Sequence, residues 1–327
     1  MGTYKEIRGT HITTVTTDPP SPINGQMWYN STTQVMKGFT SNPAGSWSTA
    51  ANMNTARHSG IASAGANAEA ALGFGGGPPP APGAVAITES WNGSTWTEVA
   101  DLNTARALAG GAGNYTSAIA AGGDQYSGNA ESWNGSSWTN ITTSPNTGHT
   151  QAGAGSDNED ALLFGGSPYA SNNQTDYWNG SSWTEGGNLN TARHVGAGSG
   201  KAYTAALAVG GEDPTGYLAI VESYNGSSWT EVADLNTGRA YMGADGTQTS
   251  TLAFGGYVPP SPPGNVAVTE SWDGTSWTET GDLNTARSYL GRGGANNTSA
   301  LAFSGAPSNA TEEFVSPTTS TVTFTAS

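Results

Sequence analysis

Hydrophobic residues in this chain come as short apolar stretches that close on two small residues. They read SAIAAGG (117 to 123), ALLFGG (161 to 166), AALAVGG (205 to 211), TLAFGG (251 to 256) and, varied, ALAFSG (300 to 305). Their alternation is weak and glycine bounds them, which predicts inner β-strands buried on both faces. Between these strands lies a polar and aromatic pattern, complete in Thr269 to Arg287, TESWDGTSWTETGDLNTAR. There Glu270-Ser271-Trp272 and Ser276-Trp277-Thr278 flank Asp273-Gly274. Asp-Gly or Asn-Gly between such runs predicts a hairpin with a two-residue type I′ turn. With the Gly- and Ala-rich run that follows each Arg, one unit amounts to four short strands.

Close copies of the pattern end at Arg106, Arg193 and Arg239, a shorter copy starts at Ala130, and a degenerate one, GSWSTAANMNTAR, ends at Arg57. The second tryptophan of each hairpin falls at Trp47, Trp96, Trp138, Trp183, Trp229 and Trp277. Its spacings of 49, 42, 45, 46 and 48 residues, with four strands to a unit, predict a β-propeller. Six blades begin after Arg57, Arg106, His149, Arg193, Arg239 and Arg287. The sixth has a third strand, TEEF at Thr311 to Phe314, but no tryptophan strand after it, whereas Trp47 has no blade before it. Pairing the Trp47 strand with the last blade closes the ring and leaves no edge exposed. The expected organisation is an attachment arm over 1–24, a β-hairpin over 25–44, the propeller over 45–315 and a C-terminal strand or tail over 316–327. QVMKGF (34 to 39) reads as a degenerate aromatic strand that partly duplicates Phe314.

An apolar strand ending in Gly-Gly, an aromatic strand, a tryptophan strand and a loop ending in Arg resemble kelch repeats. The resemblance implies an all-β, six-bladed kelch-like propeller whose innermost strand follows the Arg and whose outermost strand carries the Trp. Upstream, PINGQMWYNSTT, a Lys-Gly-aromatic strand and GSW precede the repeats. This combination, over nearly the whole chain, resembles virion proteins of tailed bacteriophages, particularly marine ones. It implies a structural subunit of a tail fibre, spike or head fibre, located on the virion and held to other virion proteins through the N-terminal arm. A homo-oligomer on the particle is expected.

Composition narrows the chemistry. Cysteine is absent, which removes disulfides, thiolate metal sites and cysteine nucleophiles. The net charge is −15, with 10 basic against 25 acidic residues, so nucleic acid and anionic membranes are poor partners. No apolar run is long enough to span a bilayer, and MGTYKEIRGTHITT lacks a signal-peptide core, which predicts synthesis in the host cytoplasm without membrane insertion. Kelch-like copper oxidases need a Tyr-Cys crosslink and histidine ligands, and this chain offers only His11, His58, His149 and His194. A glycosidase needs two facing carboxylates, and the sequence displays no such pair. The expectation is a non-enzymatic protein without cofactor or metal.

Antiparallel parity puts the Arg loops and the loops after Gly-Gly on one face and the Asn-Gly turns on the other. The Gly-Gly loops vary most: GPPPAPGAV (77 to 85), DQYSGN (124 to 129), SPYASNNQ (167 to 174), EDPTGYLA (212 to 219) and YVPPSPPGNV (257 to 266). Variation on one rim suits recognition, and Tyr126, Tyr169, Tyr217 and Tyr257, with Asp124 and Glu212, are its candidate ligand-binding residues. Arg57, Arg106, Arg193, Arg239 and Arg287 recur just before the innermost strands and are expected at the channel mouth. They form either an anion or acidic-sugar site or structural ion pairs with the once-per-blade acids Glu89, Glu131, Glu222, Glu270 and Glu312. Asp176 holds the same place in the third blade. Paired aromatics such as Trp91 with Trp96 suit packing between blades. Asn-Gly-Ser at Asn92, Asn134, Asn179 and Asn225 also fits a glycosylation acceptor, though turn geometry accounts for it. Three functions follow: an appendage that binds host-surface glycan or receptor through the rim, a purely structural decoration or connector protein, or a polysaccharide-cleaving enzyme.

Overall fold

A computed structural model describes residues 12–22, 25–42, 45–57, 61–77, 83–123, 129–143, 152–166, 173–194, 196–258, 264–306, 308–316 and 318–324. The chain divides into two compact units, Met1–Gly45 with Ser316–Ser327, and Ser46–Val315. Every regular element among the described residues is a strand.

In the first unit Met27–Asn30 and Val35–Asn42 form an antiparallel hairpin, flanked by Thr13–Val15, parallel to the former, and Thr318–Phe324, antiparallel to the latter. Two expectations are corrected here. The C-terminal strand does not extend the last blade, because Thr318–Phe324 pairs with Val35–Asn42 along its whole length. The 34 to 39 segment is part of this hairpin and not of a blade. The arm is tied to this sheet, as the Asp18 carboxylate accepts bonds from Lys37 Nζ (2.5 Å), Asn30 Nδ2 (2.7 Å) and Trp28 Nε1 (2.9 Å). These donors, the lysine foremost, lower the Asp18 carboxyl to about 2. Residues 1–11 of the arm lie outside the described residues.

The second unit holds six four-stranded antiparallel sheets among the described residues. Blade 1 comprises Ala62–Asn67, Ala70–Phe74, Thr88–Trp91 and Trp96–Val99. Blades 2 to 5 repeat the order from Gly110–Asn114, Ala152–Asp157, Ala197–Ala202 and Gly243–Thr247. Blade 6 takes Gly291–Asn296, Ser299–Phe303 and Thr311–Val315 from one end of the unit and Ser46–Ala50 from the other, with Trp47 opposite Phe314. Blade 6 also contacts blade 1, as Trp96 Nε1 donates to Thr311 Oγ1 (2.9 Å) and its ring meets Phe303 at 4.7 Å. The unit is therefore a closed six-bladed β-propeller.

Two sequence features explain the packing. The innermost strands carry glycines because their backbones touch: a β-carbon on Gly111 would overlap Ser63, one on Gly153 would overlap Gly111, and one on Gly198 would overlap Gly153. Each outer tryptophan then crosses to the preceding blade. Trp138 sets its ring 4.9 Å from Phe74 and donates to Thr88 Oγ1, and Trp229 repeats this with Phe164 and Thr175, as Trp47 does with Phe254 and Thr269. The paired aromatics thus serve blade packing.

The turn between Trp91 and Trp96 differs from the expected type I′ hairpin. Trp91 pairs directly with Trp96, so the loop has four residues, and only Gly93 has positive φ (89°). Asn92 Oδ1 accepts the amides of Ser94 (3.0 Å) and Thr95 (2.9 Å), closing an Asx turn that side-chain chemistry dictates. Asn134, Asn179, Asn225 and Asp273 make the same pair of bonds.

Candidate ligand site at the propeller mouth

Strand direction puts the Arg loops and the Gly-Gly ends on one face. Residues just after the Arg bridge to residues just after the Gly-Gly of the same blade: His194 with Glu212, Ala240 with Tyr257, and Ser288 with Ala306. On the other face the Gly of each Asn-Gly turn rests on the turn joining the first two strands, Gly93 on Glu69 and Gly274 on Thr249.

The repeated arginines do not open into the channel mouth. Arg57, Arg106, Arg239 and Arg287 are fully buried and Arg193 nearly so. Each pairs with the acid of the blade it precedes: Arg57 with Glu89 (3.1 Å), Arg106 with Glu131 (2.7 Å), Arg193 with Glu222 (3.0 Å) and Arg287 with Glu312 (2.8 Å), and likewise Arg239 with Glu270. Arg57 Nη1 also donates to Gly75 O and Ile87 O, and the Glu89 carboxylate accepts the Asn54 amide (2.8 Å) and side chain (3.0 Å). Burial lowers the Arg57 guanidinium to about 10, with Glu89 opposing, so it stays charged at neutral pH. These pairs fasten each incoming loop to the next blade, and an anion site built from the arginines is ruled out by their burial. His149 lies outside the described residues.

What lines the mouth instead is the residue two places beyond Arg106, Arg239 and Arg287. Leu108, Tyr241 and Tyr289 hold that position, all half-buried and all with left-handed backbone (φ 56°, 56° and 60°). A bulky residue with positive φ costs about 1–2 kcal/mol. The cavity they line receives residues from all six blades, Ile61, Leu108, Gly153, Gly196, Tyr241 and Arg292 among them, so it lies on the propeller axis.

Two rim segments extend this wall. In blade 4 the expected loop is a hairpin: Ala205–Asp213 and Gly216–Tyr224 run on past the Gly-Gly, pairing Glu212 with Tyr217. The Asp213 side chain accepts the amides of Thr215 (2.7 Å) and Gly216 (3.1 Å) to close it. In blade 5, Tyr257–Val258 pairs with Gly264–Asn265. Tyr217 and Tyr257 thereby meet at 6.0 Å, and the rings of Tyr241 and Tyr289 lie 4.3 Å apart with a tilt of 39°. Glu212 lies within 3.3 Å of the Tyr241 hydroxyl. Burial raises the hydroxyl pKa of both Tyr217 and Tyr241, helped for Tyr241 by Tyr289 and Glu212 and for Tyr217 by Glu212 and Tyr257. All four tyrosines are half-buried; Tyr241 and Tyr289 line the cavity, and Tyr217 and Tyr257 belong to the rim strands.

Of the six candidate ligand residues, the structure brings Tyr217, Tyr257 and Glu212 together; Tyr126, Tyr169 and Asp124 lie outside the described residues. Sequence reasoning missed Tyr241, Tyr289, Leu108 and Arg292. For Tyr241, Tyr289 and Leu108 a signal was available: each is a large residue two places beyond a repeated Arg, ahead of a run rich in Gly and Ala.

No protein-family model and no curated protein matches the chain. Among solved structures it is similar to one described as "Structure of YjhT", a β-propeller, with a TM-score of 0.64 and 15% sequence identity over 84% of this chain and 100% of that one. At that identity the likeness shows the fold alone.

Proposed function

We propose that this chain is a non-catalytic appendage protein of a bacteriophage virion, whose propeller mouth binds host-surface glycan and whose N-terminal segment contacts other virion proteins. The observation that carries the binding role is the axial cavity lined by Tyr241 and Tyr289, both held in left-handed backbone, with Tyr217 and Tyr257 packed together on the rim strands beside it. Half-exposed tyrosine rings give a sugar face large contact area at low entropic cost, and strained backbone is a feature of binding sites. The virion assignment rests on the resemblance of the amino-terminal WYN hairpin and the repeats to phage structural proteins. The test is binding of the purified full chain to an oligosaccharide array, beside a variant with all four tyrosines changed to alanine. Binding that disappears in the variant, with its melting temperature kept, supports the reading. Absence of any glycan signal, with assembly of particles retained, overturns it in favour of a structural connector.

A further inference from the structure

The floor of the mouth carries a charge that the repeats do not share. Arg292 stands on the innermost strand of blade 6, where the register equivalents in blades 1 to 5 are Ser63, Gly111, Gly153, Gly198 and Ala244. Its Nη2 donates to Gly153 O (2.7 Å) in blade 3, and its backbone amide donates to Ser63 Oγ (3.0 Å) in blade 1. The side chain therefore reaches across the axis, half-buried, with the tyrosine-lined cavity on one side and the glycine-lined channel on the other. Deeper in that channel Lys201 Nζ donates to Gly65 O (2.7 Å) and to Asp245 Oδ1 (2.6 Å), so this cation and its carboxylate neutralise each other. Arg292 has no carboxylate within 4.0 Å among the described residues. Among the described residues Arg292 thus has no ion-pair partner, and the carboxylate that acts on it from the channel, Asp245, is already bonded to Lys201.

We propose that the mouth receives a saccharide end bearing a single negative group, a carboxylate or a sulfate ester, and that Arg292 binds that group. The inference rests on the glycan-binding reading above and adds the class of glycan. A guanidinium donates to two oxygens at once, which fits both groups, and charge-assisted bonds are about twice as strong as neutral ones. The glycines around it carry no side chains, and the carboxylate that lines the channel, Asp245, is bonded to Lys201. Tyr241 and Tyr289 stand above Arg292 in the same cavity, so a ring stacked on them directs its acidic substituent to the floor. Glu212, beside the Tyr241 hydroxyl on the rim, accepts bonds from sugar hydroxyls and repels a second anionic group. The acidic body repels polyanions in the same way, so a singly charged end is favoured over a densely charged chain.

The experiment uses the full chain on an array of matched neutral, carboxylated and sulfated oligosaccharides, followed by titration calorimetry with a bound member and its uncharged form, methyl-esterified or desulfated. The expected result is a bound set dominated by singly acidic glycans, with the uncharged form weaker by about 10-fold to 100-fold. Arg292→Met should abolish that difference at an unchanged melting temperature, and Arg292→Lys should retain part of it. If Arg292→Met fails to fold, the charged-against-uncharged comparison on the unaltered protein decides. Equal binding of charged and uncharged forms overturns the proposal while leaving glycan binding intact. Failure to bind any glycan overturns both.

Discussion

The Tyr241 ring lies 4.3 Å from that of Tyr289, centroid to centroid, and the Tyr289 amide donates to the Tyr241 carbonyl (2.7 Å), although the two residues open different blades. Both hold a left-handed backbone that glycine adopts without penalty. Removing the ring should therefore reverse the usual order of small residues. Glycine normally loses to alanine by about 0.4–1 kcal/mol through unfolded-state entropy, whereas an L-residue in this region costs about 1–2 kcal/mol. We expect Tyr241→Gly to be more stable than Tyr241→Ala by about 0.5–1 kcal/mol in urea denaturation. An alanine variant more stable than the glycine variant would contradict the strain.

Arg239 and Glu270 form a fully buried pair that also holds the Asn236 amide on the carboxylate at 2.7 Å. Replacing Arg239 with Met leaves that carboxylate buried without its cation, a change that costs about 3–5 kcal/mol. Replacing both partners with apolar residues removes the uncompensated charge and should cost less than the single change. Urea melts of Arg239→Met and of Arg239→Met with Glu270→Leu check the order; equal or greater loss in the double variant would mean that the loop bonds, and not the charge, dominate.

Between blades, the Trp138 indole donates to Thr88 Oγ1 (3.1 Å) in a buried setting. Thr88→Val keeps the shape and removes the acceptor, leaving an unsatisfied indole N–H at a cost of about 1–3 kcal/mol. Thr142 lies on an exposed strand end, and there the Trp183 indole uses the backbone carbonyl instead of the side chain. Thr142→Val should accordingly be close to neutral. A thermal scan of the two variants separates these outcomes, and equal shifts would refute an inter-blade role for the Thr88 hydroxyl.

What repeats in the sequence is what could be read from it. Six tryptophans at a steady interval and a tryptophan strand without a blade of its own led directly to six blades closed by Ser46–Ala50. The Arg-to-Glu regularity has the same origin, because each loop meets the next blade in the same way. Repetition is silent about positions that matter once. Arg292 occupies a site that is glycine in three other blades, and nothing local marks it as facing the axis. The blade 4 rim hairpin was hidden because Asp213-Pro214-Thr215-Gly216 reads equally well as a loop tip. The turn type was misjudged for a physical reason: Asn92 acts through its side-chain oxygen and not through a positive φ.

Asp273 replaces asparagine in one of the five tryptophan turns, which makes that turn sensitive to pH. Its carboxylate accepts the Thr275 hydroxyl (2.7 Å) and the amides of Thr275 (2.8 Å) and Ser276 (2.9 Å), and these bonds, the hydroxyl foremost, lower its pKa to about 2. An unfolded aspartate titrates near about 3.9. The depressed value means that the turn's contribution to stability is present above the unfolded pKa and is lost as pH falls through the folded one. The Thr275 and Ser276 amide protons should therefore shift with a midpoint near 2 when followed by NMR from pH 5 downward. Ser227 and Ser228, bound to the uncharged Asn225, are an internal control and should not titrate, and Asp273→Asn should abolish the transition. A midpoint near 4 would show instead that the carboxylate is solvated and the turn is closed by backbone alone.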